Sequence, residues 1–240
     1  MKNTFHEDLW LSDQLSKNVY RLNLDSFTKE NFLFAWEDFK IKNSKKNYFI
    51  YSKIQSNRIK LWQTLEEVGF KLIDTNIEFE LNKPIINNNN FVDIKIDFAN
   101  DLHQKAVGKI AKQNFIFSRF HLDPLINNKI ANNIKKNWAE NFFLGKRGNK
   151  MVVALLNNIP VGFLQIIINK GEFLIDLIAV DKKAQGKGAA SAMIIFAENN
   201  IKCNRIKVGT QIGNFPSIKL YQKLGFELIG ADYVFHYHKS

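Results

Sequence analysis

The stretch that decides the fold runs from Leu174 to Ala190 and reads LIDLIAVDKKAQGKGAA. Its first half, Leu174–Val180, is apolar apart from one aspartate and predicts a buried β-strand. Its second half is a turn rich in glycine and lysine, and a helical pattern follows from Gly188 to Asn199. The start of a helix presents unpaired amide groups and a partial positive charge, and glycines let an anionic group approach them closely. The stretch therefore predicts a phosphate-binding loop between a strand and a helix.

This loop matches neither of the two most common nucleotide-binding loops. The GxxxxGK[ST] spacing of the Walker loop is absent, and so is the GxGxxG spacing of dinucleotide-binding folds. Lys182, Lys183 and Lys187 add positive charge that suits a pyrophosphate. From the residues alone, an ordinary tight connection between strand and helix remains an equal alternative.

The flanking sequence predicts an α/β (α+β) domain with a mixed central sheet and helices on its faces. Working outward, the apolar and turn patterns predict these elements: strand Phe91–Phe98, helix Asp101–Lys112 with Asn100 or Asp101 as its cap, loop Ser118–Pro124, helix Asn127–Phe143, strands Met151–Leu156 and Val161–Ile168 around an Asn157-Asn158 turn, strand Phe173–Val180, helix Gly188–Asn199, strand Arg205–Gln211, helix Phe215–Leu224 and strand Phe226–Tyr237.

A weak internal repeat suggests that the chain has two parts. VGFKLI from Val68 and LGFELI from Leu224 each follow a helical pattern, which in turn follows a strand pattern. Both copies predict the order strand, helix, glycine stop, strand, because glycine ends a helix readily at positive φ. A polar run, Asn87–Asn90, separates the parts and is typical of a linker. We therefore expect an N-terminal domain at 1–86 and a second domain at 87–240.

Composition limits the kinds of protein that the chain can be. Hydrophobic residues make up 45% of the chain, which is typical of a folded protein, and no apolar run has the length of a membrane span. The single cysteine, Cys203, excludes an intramolecular disulfide and predicts a cytoplasmic location. The net charge of +11 suits a polyanionic partner or simply reflects heavy use of lysine. The lysines are spread along the chain, so we expect no nucleic-acid partner. The sequence shows no zinc-ligand cluster and no apolar run of membrane length, so we also expect no metal and no membrane insertion.

Two motifs make the sequence similar to the GNAT superfamily of acyl-CoA-dependent N-acyltransferases. Gln185-x-x-Gly188-x-Ala190 after Val180 resembles the loop that holds the acyl-CoA pyrophosphate in this family. Asn214, followed by the helix IKLYQKLGF that contains Tyr221, resembles the second GNAT motif. The resemblance implies a GNAT fold at 87–240, preceded by a smaller and degenerate GNAT-like half that has no glycine-rich loop. It also implies an acyl-CoA site lined by Ile178, Ala179, Val180, Gln185, Gly186, Lys187, Gly188, Ala189, Ala190 and Asn214.

The resemblance also implies a mechanism by direct attack of an amine on the thioester. A backbone amide in Ile178–Val180 would stabilise the oxyanion, and Tyr221 would protonate the departing thiolate as general acid. Asp176 is the candidate general base, because it is a carboxylate within an apolar strand four residues before Val180. A structural ion pair is the alternative for Asp176, and packing of the ring against the sheet is the alternative for Tyr221.

A softer similarity extends over most of the chain, to the TDP-fucosamine acetyltransferase family of nucleotide-sugar N-acyltransferases. It includes SRF at Ser118–Phe120, the helix through Trp138 and TQIGN at Thr210–Asn214. It implies a dTDP-linked amino sugar as acceptor, with Arg119 and His121 in contact with the sugar or its phosphate, although an exposed loop is the alternative for these two. Acetyl-CoA or hydroxybutyryl-CoA would be the acyl donor, and a homodimer is compatible with the resemblance. A GNAT enzyme for another amine and a non-catalytic acyl-CoA-binding module remain open.

Overall fold

A computed structural model describes residues 4–85 and 94–239. The described residues form ten strands and eight helices, in this order: β1 Phe5–Glu7, α1 Leu9–Leu15, β2 Asn18–Leu22, α2 Lys29–Lys42, β3 Tyr48–Gln55, α3 Ile59–Glu67, β4 Lys71–Leu81, β5 Lys95–Phe98, α4 Gln104–Asn114, α5 Arg119–Leu122, α6 Asn128–Glu140, β6 Lys150–Leu156, β7 Ile159–Asn169, β8 Glu172–Val180, α7 Ala189–Asn200, β9 Arg205–Gln211, α8 Phe215–Lys223 and β10 Glu227–Lys239. In these two stretches, every helix is too short or too polar to cross a membrane.

The chain divides into two compact units that do not follow the predicted boundary. One unit comprises Met1–Asn76 together with Gly230–Ser240, and the other comprises Ile77–Ile229. The division falls ten residues before the predicted boundary at 86/87, and the last strand returns to the first unit. The predicted linker at Asn87–Asn90 lies outside the described residues. That the first part is a degenerate copy of the second stays a prediction.

The first unit is built on strands in the order β1-β2-β3-β10. β2 and β3 run parallel, and β10 pairs antiparallel with β3 from Asp232 opposite Gln55 to Lys239 opposite Tyr48. The core is largely aromatic because α2 contributes Phe32, Trp36 and Phe39, all of them buried. β1, α1, β2 and α2 precede residue 48, in a region for which the sequence pattern gave no prediction.

The second unit has the mixed sheet that the sequence predicts. Its strands lie in the order β9-β8-β7-β6-β5, antiparallel from β5 to β8 and parallel between β8 and β9. Val107, Ile110 and Ala111 of α4 and Ala139 of α6 pack on one face, against β6, β7 and β8. α7 packs against β6, β7 and β8 through its own buried residues. Fold class and element order are thereby confirmed.

Local details follow the predicted turn chemistry, with one correction. Asn157 and Asn158 have φ of 51° and 60° between β6 and β7, which is the hairpin turn that two asparagines favour. Asn100 caps a 3-10 turn at Asp101–His103, from which α4 continues. The segment Ser118–Pro124, predicted as a loop, instead contains the short helix α5. α5 packs against the rest of the unit through Phe120, whose side chain is buried with 1% of its surface exposed.

Both copies of the internal repeat end their helices in the same way. Gly69 follows α3 at φ 99° and Gly225 follows α8 at φ 87°, in the left-handed region that glycine adopts without strain. The amide of Phe70 bonds the carbonyl of Leu65, and the amide of Phe226 bonds that of Tyr221. This bond across five residues closes a helix end of the Schellman type. The predicted order of strand, helix, glycine and strand is confirmed in both copies.

Candidate active site

The turn after β8 is held by bonds that leave its outer amides available. The Asp181 side chain accepts a hydrogen bond from the Lys183 amide at 3.0 Å and so caps a 3-10 turn at Lys182–Ala184. The Gln185 side-chain amide donates to the Val180 carbonyl at 3.0 Å. Gln185 therefore braces the turn, which is a structural role that the motif did not predict.

The two glycines of the loop are required by its backbone. Gly186 and Gly188 have φ of 76° and 82°, where a side chain is strained, and a Cβ on Gly186 would meet nothing within 4 Å. Gly188 is the N-cap of α7 and provides no side-chain bond to the helix. Among the described residues, no group accepts a hydrogen bond from the amides of Gly186, Gly188, Ala189 or Ala190.

These amides make the loop suitable for an anion. They lie at the start of a 12-residue helix, where the partial positive charge of the helix dipole adds to theirs. Lys182, Lys183 and Lys187 are exposed around the same turn. The residues present therefore fit the pyrophosphate of an acyl-CoA, because the loop offers backbone donors, positive charge and no obstructing side chain.

β8 and β9 diverge beside this loop. Their parallel pairing covers only Glu172 to Ile175 of β8, opposite Arg205 to Val208 of β9. From Ile178 to Val180, β8 is paired with β7, and the described residues provide no partner on its other edge. A free strand edge carries amides and carbonyls that can bond an extended ligand, as an added strand would. The residues predicted to hold the acyl-CoA chain and the oxyanion lie on this edge.

Asn214 and Tyr221 are positioned by α8, which follows β9. The Asn214 side chain accepts a hydrogen bond from the Ser217 amide at 3.4 Å and donates to the Thr210 hydroxyl at 3.2 Å. Asn214 is thus the N-cap of α8, a role that explains its place in the motif without a ligand. The Tyr221 ring is 2% exposed and packs against Phe79 and Phe226, with ring centroids 5.9 Å and 5.5 Å away. Burial raises the pKa of the Tyr221 phenol well above its usual value.

Asp176 lies in an ion pair at a bulge of β8. Gln165 and Ile166 of β7 face Leu177 and Ile175, so Asp176 has no partner in the ladder. Its carboxylate accepts bonds from Nε and Nη2 of Arg147 at 2.8 and 2.6 Å, from the Trp138 indole at 3.1 Å and from the Gln165 amide at 2.9 Å.

This arrangement favours the structural alternative for Asp176. The side chain is 6% exposed, and its oxygens accept the four hydrogen bonds from Arg147, Trp138 and Gln165. A proton acceptor needs a free lone pair directed at the amine, and Asp176 would have to give up one of these bonds to provide it. The general-base role that we predicted for Asp176 is not supported by this geometry and stays a prediction.

Arg119 and His121 both lie on α5, and neither is a simple surface residue. His121 is held between the Ser118 hydroxyl at 2.6 Å and the Asn132 side chain at 2.9 Å. Burial lowers the pKa of His121, so the ring is mainly neutral at pH 7. The Arg119 guanidinium lies 4.5 Å from the centre of the Phe120 ring. His121 fastens α5 to α6, and the contact with a sugar stays a prediction for both.

Sequence reasoning missed the partners of Asp176, although one signal was present. Gln165 interrupts an apolar strand in the same way as Asp176 does, and two isolated polar residues on neighbouring apolar strands tend to bond each other. Trp138 was noted only as part of a helix. Arg147 is the seventh residue after that helix ends, and nothing in its own pattern distinguishes it from other surface cations.

Comparisons with known proteins agree with the fold. Residues 117–226 match the acetyltransferase (GNAT) family. A GCN5-related N-acetyltransferase from Kribbella flavida has a similar structure, with a TM-score of 0.64 and 11% identity, over 91% of this chain and 80% of that one. At this identity the likeness shows the fold alone.

Two curated relatives match parts of the chain. The spore coat polysaccharide biosynthesis protein SpsD of Bacillus subtilis is 31% identical over 135 residues, which are 55% of this chain and 46% of SpsD. The L-amino acid N-acetyltransferase AaaT of Escherichia coli is 33% identical over 102 residues, 39% of this chain and 62% of AaaT. The chain thus spans about half to three-fifths of the length of these relatives. The match to the acetyltransferase (GNAT) family over residues 117–226 thus agrees with the order of the sheet and with the divergence of β8 and β9.

Proposed function

We propose that the protein is an acyl-CoA-dependent N-acyltransferase that transfers an acetyl or short hydroxyacyl group to the amine of a dTDP-linked amino sugar. The coarser part of the proposal, transfer of an acyl group to an amine, is supported by the family of residues 117–226. The finer part, the acceptor, is supported by the sequence resemblance to nucleotide-sugar N-acyltransferases and by the polysaccharide-related name of SpsD.

One observation carries the proposal: the free edge of β8 continues directly into the loop with unpaired amides. An extended thioester chain needs donors and acceptors along its length, and a pyrophosphate needs them at its end. Ile178–Val180 offer the first and Gly186–Ala190 offer the second, on one continuous stretch of backbone. This continuity distinguishes an acyl-CoA site from an isolated phosphate loop.

The residues along this stretch would serve a direct transfer. A neutral amine forms the new C–N bond with the thioester carbonyl, and the carbonyl oxygen becomes an oxyanion. A backbone amide within Ile178–Val180 would donate a hydrogen bond to that oxyanion, on a rigid strand that needs no reorganisation. The C–S bond then breaks, and the thiolate takes a proton.

Tyr221 is our candidate for the source of that proton. Its raised pKa keeps the phenol protonated at every pH at which the enzyme would work. A donor less acidic than the thiol gives up its proton only as negative charge develops on sulfur, so it acts late in bond cleavage. Asp176 remains a candidate base only if it can exchange its bonds to Arg147 for one to the amine, and solvent is the other route.

A second acceptor class deserves the same test because AaaT acts, by its name, on L-amino acids. Both classes present a primary amine, and they differ in what surrounds it. A nucleotide sugar brings a base and a diphosphate, whereas an amino acid brings a carboxylate next to the amine.

Release of free thiol in the presence of candidate acceptors tests the proposal. The protein is mixed with acetyl-CoA or hydroxybutyryl-CoA and with dTDP-amino sugars bearing the amine on C3 or C4, L-amino acids or polyamines. Fast release with a dTDP-amino sugar supports the proposal, and fast release with amino acids alone selects the second class. No release with any acceptor, while acyl-CoA still binds, would instead identify a binding module.

A further inference from the structure

Three side chains at α5 and α6 form a linear hydrogen-bond network. Ser118 Oγ lies 2.6 Å from Nδ1 of His121, and Nε2 of the same ring lies 2.9 Å from Oδ1 of Asn132. An amide oxygen can only accept, so the neutral ring carries its proton on Nε2 and offers the lone pair of Nδ1. The Ser118 hydroxyl therefore donates to His121. A hydroxyl, a base and a group that orients the base are the parts by which enzymes activate an O–H group.

The Ser118 oxygen keeps unused capacity to accept hydrogen bonds. A serine that precedes a helix commonly accepts a bond from an amide of the first turn, but the Ser118 side chain makes no such bond. Its hydroxyl is turned to His121 instead. Ser118 is 5% exposed, and none of the residues that the structure describes donates to its Oγ. A nearly buried oxygen with free lone pairs is suited to receive an N–H group from a ligand.

His121 has the charge state that a base requires. Burial lowers its pKa, the hydrogen bond with Asn132 opposes this effect, and the positive charge of Lys135 on α6 adds to it. α5 packs against α6 and has charges of both signs itself, Arg119 at its start and the buried carboxylate of Asp123 at its end. The lowered pKa keeps the ring neutral at pH 7, with Nδ1 able to take a proton.

α6 holds this network close to the expected reaction centre. Ala139 of α6 packs in one buried cluster with Leu177 and Ala179, and Ala179 belongs to the free edge of β8. Asn132 lies seven residues before Ala139, which corresponds to about 10 Å along the helix axis. The network is thus fastened to the helix that supports the strand on which the transfer is expected.

We propose that Ser118 and His121 act together as the general base of the acyl transfer, and that Asn132 positions the ring. Ser118 is the catalytic residue that touches the acceptor amine, and His121 takes up the proton. The role is open because the oxygens of Asp176 already accept four hydrogen bonds. The proposal rests on the acyltransferase function and supplies the proton acceptor that direct attack by an amine requires.

Protons and bonds change places along this network in a fixed order. The bound ammonium donates an N–H to Ser118 Oγ, and this proton moves to Oγ as the hydroxyl proton moves to Nδ1 of His121. The neutral amine then forms the C–N bond with the thioester carbon, and the C–S bond breaks. The thiolate leaves as a thiol with a proton from Tyr221, which recovers one from the new amide nitrogen. His121 is half-buried and releases its proton to solvent, so the products are an amide, a thiol and one proton.

Removal of the Ser118 hydroxyl gives the first test. Ser118→Ala leaves the bond between His121 and Asn132 in place, so α5 stays fastened to α6 and the protein should fold. With an acceptor that the wild type uses, kcat should fall by about 10²-fold or more, the usual contribution of a general base, while the dissociation constant of coenzyme A stays unchanged. Ser118→Thr restores a hydroxyl and should recover most of kcat.

A shift of the pH profile separates a base from a group that only supports α5. In the wild type, kcat/KM should fall as the pH drops through the pKa of His121, which lies below the ordinary value of 6.5. Asn132→Asp places a carboxylate against the Nε2–H group, favours the charged ring and should move this acid limb up by about one pH unit or more. Titration of the His121 ring by NMR should give the same pKa as the acid limb in both proteins.

His103→Gln is the matched control. Like His121, His103 lies three residues after the residue that precedes a helical turn, and its Nδ1 accepts a hydrogen bond from the Asn100 amide at 3.1 Å. This variant should keep the kcat, the acid limb and the coenzyme A binding of the wild type.

The outcomes decide the two proposals separately. A wild-type protein that acylates no acceptor refutes the acyltransferase function, and the base proposal with it. Normal wild-type turnover together with a folded Ser118→Ala variant whose kcat stays within about threefold of the wild type refutes the base proposal alone. An acid limb that differs from the NMR pKa of His121 overturns it as well, and the wild-type protein provides this comparison even if Asn132→Asp does not fold.

Discussion

Replacement of Gly188 by valine tests the phosphate loop most directly. Gly188 has φ 82°, so valine there is strained by about 1–3 kcal/mol. Its branched side chain would also stand over amides that no described residue bonds. Each such bond to a phosphate oxygen is charge-assisted and contributes about 1.5–3 kcal/mol. Loss of one or two of them predicts a dissociation constant for coenzyme A that is higher by about 10²-fold.

The strain must be separated from the lost contact, and the chain offers a control. Gly145 follows α6 at φ 64°, and a Cβ there would meet nothing within 4 Å. Gly145→Val should therefore lower the thermal midpoint by a similar few degrees while coenzyme A affinity stays normal. Binding is measured by calorimetry and folding by thermal denaturation. If Gly188→Val is folded and binds coenzyme A within threefold of the wild type, the loop is not the pyrophosphate site.

Three further substitutions separate chemistry from stability. Tyr221→Phe keeps the buried ring and removes only the hydroxyl, so kcat should fall by about 10²-fold or more while coenzyme A binding stays intact. A near-normal kcat would remove Tyr221 from the mechanism. Asp176→Asn should lower the free energy of unfolding by about 2 kcal/mol, which is less than for a fully buried pair because the Arg147 side chain can turn to solvent. If this variant instead lost kcat while its stability stayed normal, Asp176 would again be the candidate general base. Asp74 is 8% exposed and burial raises its pKa to about 6, so folding binds its proton more tightly. Its charge therefore costs stability as pH rises from about 4 through 6, and Asp74→Asn should raise the thermal midpoint at pH 8 but not at pH 4.

The second unit could be predicted from sequence because each of its elements has a local signal. Gly188 and Gly225 stop or start helices, Asn157 and Asn158 turn a hairpin, and the strands are continuous apolar runs. The first 47 residues have no comparable residues that start or stop a helix or form a tight turn. α2 carries Phe34 and Ile41 on its exposed side as well as aromatic residues in the core, so its apolar pattern has no clear period.

The part of the candidate site that could be predicted from the sequence is the part in which backbone amides would bind the ligand. The loop after β8 follows from glycine spacing and a helix start, both of which are local. Asp176, by contrast, takes its character from Arg147, Trp138 and Gln165, which lie 29, 38 and 11 residues away in sequence. Such tertiary neighbours decide whether a polar residue is a base, an ion pair or a binding group, and a single sequence does not contain them.

The return of β10 to the first unit imposes an order on folding during synthesis. Ile77–Ile229 is one uninterrupted segment, so all of its strands and helices are available before Gly230 is made. Residues up to Asn76 leave the ribosome earlier, yet β3 lacks its antiparallel partner until Asp232–Lys239 of β10 follow. An unpaired strand edge is prone to wrong pairing while it waits. The strands of Met1–Asn76 are thus synthesised before Ile77–Ile229, yet their sheet is completed only after that segment, when β10 pairs with β3.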